Sequence, residues 1–324
     1  MLEVRGLSKT FGSGGMFRHG GDKKAVDDVG FRLEAGETLA IVGESGSGKS
    51  TTARLAMRLI EPDAGEILWA GEAVHSLSAG QLRKRRHHIQ MVFQDPFASL
   101  NPRMRIWESV AEGLRVHQPS LDRARRRDRV AEVLGQCGLD DSGLDRYPHQ
   151  FSGGQRQRIG IARALIVEPK VLVLDEPVSA LDVSVQAQIL NLLKDIQQQR
   201  RLSYLFISHD LSVVRHIADR VSVMFAGRVV EEGSIAEVFE QPRHPYTAAL
   251  LEARPIAHPS ERQKAAAEAA TLEDVAKSGC AYRLRCPNAG EDCRDFDGVL
   301  SGDKHRFACL HPVSGNPTAE PDRA

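Results

Sequence analysis

The run Gly43-Glu44-Ser45-Gly46-Ser47-Gly48-Lys49-Ser50-Thr51 constrains this chain more than any other stretch. It reads G-x-x-x-x-G-K-S-T. Before it, residues 38–42 form a short apolar segment suited to a buried strand; after it, residues 52–59 carry apolar side chains at helical spacing among helix formers. Strand, glycine loop and helix is the context in which this pattern cradles phosphate. Glycines let the backbone turn tightly enough to point several N–H groups at phosphate oxygens, and the helix start adds its positive dipole end. Lys49 is placed to reach the outer phosphates and Ser50 to offer a hydroxyl to Mg²⁺. A glycine-rich turn with a chance lysine is the bland alternative, and the flanking strand and helix argue against it. The pattern implies a bound nucleoside triphosphate.

A chain of 324 residues, 41% hydrophobic and 27% charged, has room for one large globular domain or two smaller ones. Forty-three basic and 43 acidic residues cancel, so no global attraction to nucleic acid or membrane is expected. No apolar run approaches a membrane-spanning length, and the N-terminus lacks a secretory layout, so the chain reads as cytosolic. Five cysteines in a reducing compartment argue against a disulfide scaffold.

Taken in order, residues 2–11 alternate as an edge strand of an antiparallel start, and Phe11 is either a core aromatic or a ring that stacks on a base. Residues 12–21 read as a glycine-rich loop or hairpin tip, and 25–33 as a strand. Residues 66–69 and 89–93 are further strands. Between them the basic run 83–88 reads as a solvated helix end; it lacks the interleaved aromatics of a nucleic-acid contact. From Asn101 to Gly138 the pattern is helical. Ser152-Gly153-Gly154-Gln155 then opens a second helix with the composition of an anion site. Two phosphate cradles in one chain hint at head-to-tail dimerisation, with nucleotide shared between subunits.

Residues 171–174 form an apolar strand ending in Asp175 and Glu176. A carboxylate at the end of a buried strand needs a cation, and Mg²⁺ beside the triphosphate is the natural partner for Asp175. Glu176, turned to the other face, can polarise a water for in-line attack. Ser179-Ala180-Leu181-Asp182 leads as a loop into a helix over 185–200. The strand 202–208 ends at His209, where open α/β sheets place ligand chemistry. Residues 221–225 and 228–231 read as an antiparallel pair turned at Gly227, followed by a helix over 234–240.

The phosphate loop, Gln94 within Val92-Phe93-Gln94-Asp95-Pro96, Ser152–Gln155, Leu174-Asp175-Glu176, Ser179–Asp182 and His209 occur in this order, and together they resemble the nucleotide-binding subunit of ABC transporters. The likeness covers roughly residues 1–253. It implies an α/β P-loop NTPase fold with a mixed-sheet core, an antiparallel β subdomain and a helical subdomain over about residues 97–165. It also implies roles: Phe11 stacks on the base, and Gln94 senses Mg²⁺ and attacking water and couples to the membrane subunit. Ser152, Gly153, Gly154 and Gln155 bind the γ-phosphate of the opposite protomer's ATP, with Asp182 among the ATP contacts. Glu176 is the catalytic base, and His209 holds the γ-phosphate in the closed state. Mg²⁺ falls to Ser50, Gln94 and Asp175. Phe151 stands where many members have leucine.

The stretch from Met91 to Pro102, the surroundings of Phe151, and Pro242-Arg243-His244-Pro245-Tyr246-Thr247 resemble the oligopeptide/dipeptide importer ATPases, as does a C-terminal extension over 254–324, which opens with a linker to about Glu273. The resemblance implies ATP hydrolysis that energises import of peptides or peptide-like solutes. It implies a second ATPase subunit, two permease subunits, an extracytoplasmic solute-binding protein, no nucleic-acid partner and a peripheral place on the cytoplasmic face of the membrane. Nickel, glutathione or another solute remains an alternative cargo. A soluble ABC ATPase would be expected to show a coiled-coil insertion or two fused nucleotide domains, and this sequence has neither.

Cys280, Cys286, Cys293 and Cys309 follow a C-x5-C-x6-C-x15-C spacing. Zinc sites usually show tighter pairs, while loop-borne Cys₄ sets ligate [4Fe–4S] clusters. An iron–sulfur cluster, zinc or no metal are all open on spacing alone, and the importer resemblance leans toward the cluster. Cys137 reads as buried and inert.

Overall fold

The computed structural model describes residues 1–12, 23–253, 275–276 and 278–313. The expected loop over 12–21, apart from Gly12, and the linker to Glu273 lie outside the described residues. Strands β1 (Leu2–Phe11), β2 (Lys23–Leu33), β3 (Thr38–Val42), β4 (Ala64–Trp69), β5 (Glu72–Ala73) and β6 (Ile89–Val92) precede the helical region. Strands β7 (Val171–Asp175), β8 (Ser203–Ser208), β9 (Arg220–Phe225), β10 (Arg228–Ser234) and β11 (Arg306–Phe307) follow it.

Two sheets result. One is antiparallel, in the order β2-β1-β4-β5. The other has seven strands in the order β11-β10-β9-β3-β8-β7-β6, parallel from β6 to β9 and antiparallel beyond. β1 is therefore an inner strand of its sheet, not the edge strand that alternation suggested. Alternation reports one buried face, and it carries no information on how many neighbours the backbone pairs with. Every residue of β3, β7 and β8 is buried, as expected for parallel strands covered on both faces.

The parallel order positions the chemistry. β3, β8 and β7 are adjacent, with Val42 opposite Ser208 and Asp175 opposite Ile207. The phosphate loop after Val42, the Asp175–Glu176 pair and His209 thus emerge side by side at one end of the sheet. The helix Lys49–Ala56 leaves the phosphate loop and buries Ala53, Leu55 and Ala56 among Leu2, Val4, Ile67 and other apolar residues of the antiparallel sheet. It begins three residues before the expected 52–59 and ends sooner, because Arg58 turns to a positive φ of 51°. Helices 106–110, 112–117, 123–136 and 153–165 pack on the opposite face, with Leu114, Val133, Ile159 and Ile161 in one core with Leu172 and Leu174.

The basic run 83–88 is not uniformly solvated. Arg86 is half-buried and donates to Met57 O at 3.3 Å and Arg58 O at 3.0 Å, closing the C-terminal end of the phosphate-loop helix, where a cation is favoured. The helix expected from 185 starts at Val183, with Asp182 as its N-cap residue. Cys137 is fully buried and its thiol is pushed up to about 12 by burial. Strand β11, from the C-terminal extension, pairs with β10 through Glu231–Phe307 and Glu232–Arg306, so the extension is sewn onto the main sheet.

Candidate nucleotide site

The phosphate loop is built by glycine. Gly43, Gly46 and Gly48 have φ of 149°, 79° and 103°. A Cβ at Gly43 would stand 2.2 Å from Met224 O, and one at Gly48 2.4 Å from Ala25 O, so neither position has room for a side chain. Gly48 is the N-cap of the helix and brings no side-chain cap, which leaves the first-turn N–H groups for an anion. Lys49 is buried and donates to Gly43 O and Glu44 O, each at 2.8 Å, with Ser47 Oγ at 3.5 Å. Burial lowers its pKa, which the nearby Glu176, Asp175 and Glu44 oppose.

Ser50 Oγ donates to Asp175 Oδ1 at 2.7 Å, and Arg54 approaches Asp175 Oδ2 at 3.8 Å. Asp175 is buried, and that burial raises its pKa while the Ser50 hydrogen bond works against the rise. A hydroxyl and a costly buried carboxylate side by side are the oxygen donors a Mg²⁺ ion takes, so these residues fit that ion.

Glu176 adopts a φ of 47°, a left-handed conformation that costs a non-glycine residue about 1–2 kcal/mol. That turn aims its side chain between two others. Gln94 Nε2 donates to Glu176 Oε2 at 2.8 Å, and His209 Nδ1 lies 3.1 Å from Glu176 Oε1. Residues 82 and 33 positions away in sequence therefore meet on one carboxylate. The Glu176 side chain is 15% exposed and the His209 side chain 57%, so the pair looks out at the sheet end from a semi-enclosed floor.

Ser152 lies elsewhere, as the N-cap of the helix Gly153–Leu165. Its Oγ accepts from Gln155 N at 3.3 Å while Gln155 Oε1 accepts from Ser152 N at 2.9 Å, a reciprocal cap. The Ser152 hydroxyl hydrogen is left to donate outward. Gly153 and Gly154 let this helix start lie close against Leu181 and Val185, beside the segment bearing Asp182. Asp182 is exposed and Val183 is 82% exposed. Phe11 stands 44% exposed at the end of β1.

Two contacts had no signal in the motif pattern. Tyr246 Oη accepts from Glu44 N at 2.9 Å, and Arg285 pairs with the Glu44 carboxylate through both terminal nitrogens, at 3.1 and 3.3 Å. Pro245-Tyr246-Thr247 marks a subfamily in sequence, yet nothing local says that the tyrosine touches the phosphate loop 202 positions earlier.

In the extension, the helical turn at 291–294 buries Cys293, and Cys280 N donates to Cys293 O at 2.8 Å. Burial raises the pKa of Cys280, Cys286 and Cys309, the last to about 11, and the other three thiols add to the rise at Cys309. His311 Nε2 lies 2.8 Å from Asp292 Oδ1, and ligand atoms of Asp292, Cys293 and His311 lie within 4.8 Å of one another.

Residues 26–179 match the family model described as ABC transporter, and residues 230–293 match the C-terminal region of oligopeptide/dipeptide transporters. The oligopeptide transport ATP-binding protein OppF of Haemophilus influenzae is 52% identical over 295 residues, covering 89% of this chain and 88% of its own. The chain belongs to the ABC transporter family. A di/tripeptide transport ATP-binding protein of Pseudomonas aeruginosa is 47% identical over 315 residues, covering 96% of this chain and 97% of its own. Among solved structures, a dimeric post-hydrolysis state of the ATP-binding cassette MJ0796, bound to ADP and phosphate, is 30% identical with a TM-score of 0.65. It covers 72% of this chain and 99% of that one. CbiO1 of Clostridium perfringens, part of an ABC transporter complex, is 32% identical with a TM-score of 0.64 and covers 74% of this chain and 90% of its own. The fold is that of an ABC ATPase cassette, and the chain is an ATPase of that family. No helix among the described residues is long and apolar enough to cross a membrane.

Proposed function

We propose that this ATPase energises the import of di- and oligopeptides, with Glu176 as the base for the attacking water. The observation that carries the catalytic reading is the convergence of Gln94 and His209 on Glu176, beside the Ser50–Asp175 pair. Glu176 accepts the water proton, Gln94 holds the carboxylate in place, and His209 faces the γ-phosphate from the next strand. ATP lies on the phosphate loop, with Lys49 on its outer phosphates and Phe11 against its base. Ser50, Asp175 and Gln94 would hold Mg²⁺, which would supply charge neutralisation on the phosphates. Ser152–Gln155 of the partner subunit close the site from the other side, next to Asp182. The dimer seen for the MJ0796 cassette supports this arrangement.

Residues 1–253 serve as the nucleotide-binding unit, with the helical part over about 97–165, and 254–324 as the extension. A groove of about 720 Å³ beside Gln94, walled by Leu59, Phe93, Ala98 and Gly113, suits a short permease helix and would report the state of Gln94 to the membrane subunits. The ATPase sits peripherally on that permease pair, and an extracytoplasmic binding protein delivers the solute. The peptide cargo is supported by the relatives, which are oligopeptide and di/tripeptide transport proteins. Uptake of a labelled tripeptide should be lost when the chain is deleted and restored by the wild type but not by Glu176→Gln. Intact peptide uptake with lost nickel or glutathione uptake would reassign the cargo.

We infer a [4Fe–4S] cluster on Cys280, Cys286, Cys293 and Cys309 from their number and spacing in one small module, where Cys280 N donates to Cys293 O. Such a cluster would hold the module together. A second reading, zinc, is favoured by the Asp292–Cys293–His311 grouping. Anaerobically purified protein should contain about four iron and four sulfide per chain; one zinc without sulfide would select the second reading.

A further inference from the structure

Glu44 is held at three points. Its carbonyl accepts from Lys49, its N–H donates to Tyr246 Oη, and its carboxylate is gripped by Arg285. The last two partners lie beyond the catalytic motifs, and Arg285 belongs to the loop that carries Cys280 and Cys286. Arg285 is itself braced: its N–H donates to Tyr282 O at 2.9 Å, and its guanidinium lies 5.5 Å from the Tyr282 ring centre and 5.8 Å from that of Phe225. Tyr282, Phe225 and Tyr246 are buried and pack with ring centres 4.7–5.4 Å apart, joining the extension to the strand that follows His209.

We infer that Arg285 is a positioning residue of the nucleotide site, a strut through which the C-terminal extension holds the phosphate loop in its binding shape. The inference rests on the assignment of residues 43–51 to ATP. The physical reason is charge as well as geometry. Glu44 is an acid inside a loop that receives a triphosphate, and an unpaired carboxylate there repels the ligand. Arg285 neutralises it and draws it to the side of the extension, while Tyr246 fixes the peptide bond before it. A bidentate guanidinium sets direction as well as charge, which a lysine cannot do equally.

Arg285→Met keeps the stem that lies along the rings and removes the charge. It is expected to raise the KM for ATP about 3- to 10-fold and leave kcat within about twofold, because what is lost is uniform nucleotide binding. Arg285→Lys should fall between wild type and Arg285→Met. In a cycle with Glu44→Gln, the double variant should be no worse than the worse single variant, since both remove one interaction. An unchanged KM in Arg285→Met, a fall in kcat at constant KM, a Lys variant no better than Met, or additive losses would each overturn the strut. Lys49→Ala run alongside separates the two readings. If it binds ATP like wild type, the loop assignment fails; if it loses ATP while Arg285→Met is silent, only the strut fails.

Discussion

Two helices in this molecule begin with glycines, and under the proposed function both serve one ATP, yet they are built in opposite ways. The phosphate-loop helix starts at Gly48 with φ of 103°, no side-chain cap, and a buried lysine folded back on the loop carbonyls. The helix at 153–165 starts from a serine in extended conformation, with both cap hydrogen bonds made by Ser152 and Gln155. The first is a hollow cradle whose backbone donors are kept for a ligand. The second is a finished helix end that offers one hydroxyl and a dipole. A cradle must wrap several oxygens, so its backbone departs from ordinary geometry; a lid touches one phosphate and gains from a rigid, self-satisfied shape.

The largest expected effect tests whether the two ends act on one ATP. Glu176→Gln should cut turnover by about 100-fold or more while leaving ATP bound. The trapped nucleotide should then appear as a persistent dimer by light scattering, and adding Ser152→Ala should dissolve it. A dimer indifferent to Ser152 would break the pairing of cradle and lid. Next, Lys49→Ala should weaken ATP binding to the isolated subunit by about 10- to 100-fold, as loss of a charge-assisted bond predicts, whereas Ser152→Ala should leave subunit binding unchanged in a fluorescent-nucleotide titration.

A smaller contrast lies in the glycines. Gly48→Ala meets both a positive φ and Ala25 O, and should cost about 2–4 kcal/mol in denaturant unfolding. Gly153→Ala meets only Leu181 Cδ2 at an ordinary 3.4 Å and should leave stability within about 1 kcal/mol.

The smallest effect is set by pH. Burial lowers the pKa of His244 to about 4, below its unfolded value of about 6.5. The proton therefore favours the unfolded chain: this contribution is complete above pH 6.5 and declines as pH falls toward 4. Between pH 7 and 5.5 it should cost about 1 kcal/mol. His244 Nδ1 accepts from Tyr246 N, and Tyr246 holds Glu44, so an opening that exposes His244 also frees Glu44, and acid favours that opening by protonating the exposed ring. Amide exchange at Glu44, corrected for intrinsic rate, should rise in this range while that at Gln155 stays level. Equal changes at both would erase the distinction.

Much of the site was legible because its parts are short and local. A glycine loop between strand and helix, or a carboxylate closing an apolar strand, carries its own physical reason within ten residues. The helical region, the parallel strands and the antiparallel pair of β9 and β10 were readable from periodicity. The inner place of β1 was not, since alternation is the same for an edge and for a strand paired on both sides. Nor was the role of Arg86, whose partners are the carbonyls of a helix nearly 30 positions earlier. The roles of Arg285 and Tyr246 were invisible for the same reason: each meets Glu44 across more than 200 positions.

The amino-acid sequence by itself determined the inventory: a phosphate loop that only glycine can shape, a buried aspartate beside it, a glutamate one step further and a self-capped helix start. Their types and spacings follow from local sterics and charge. Tertiary structure alone decided which of them meet. Parallel pairing of β6, β7 and β8 set Glu176 between Gln94 and His209, and the pairing of β11 with β10 docked the extension so that Arg285 reaches the phosphate loop. The reason is physical: a side chain has a reach of a few ångströms, and the order of strands determines which distant residues fall within it.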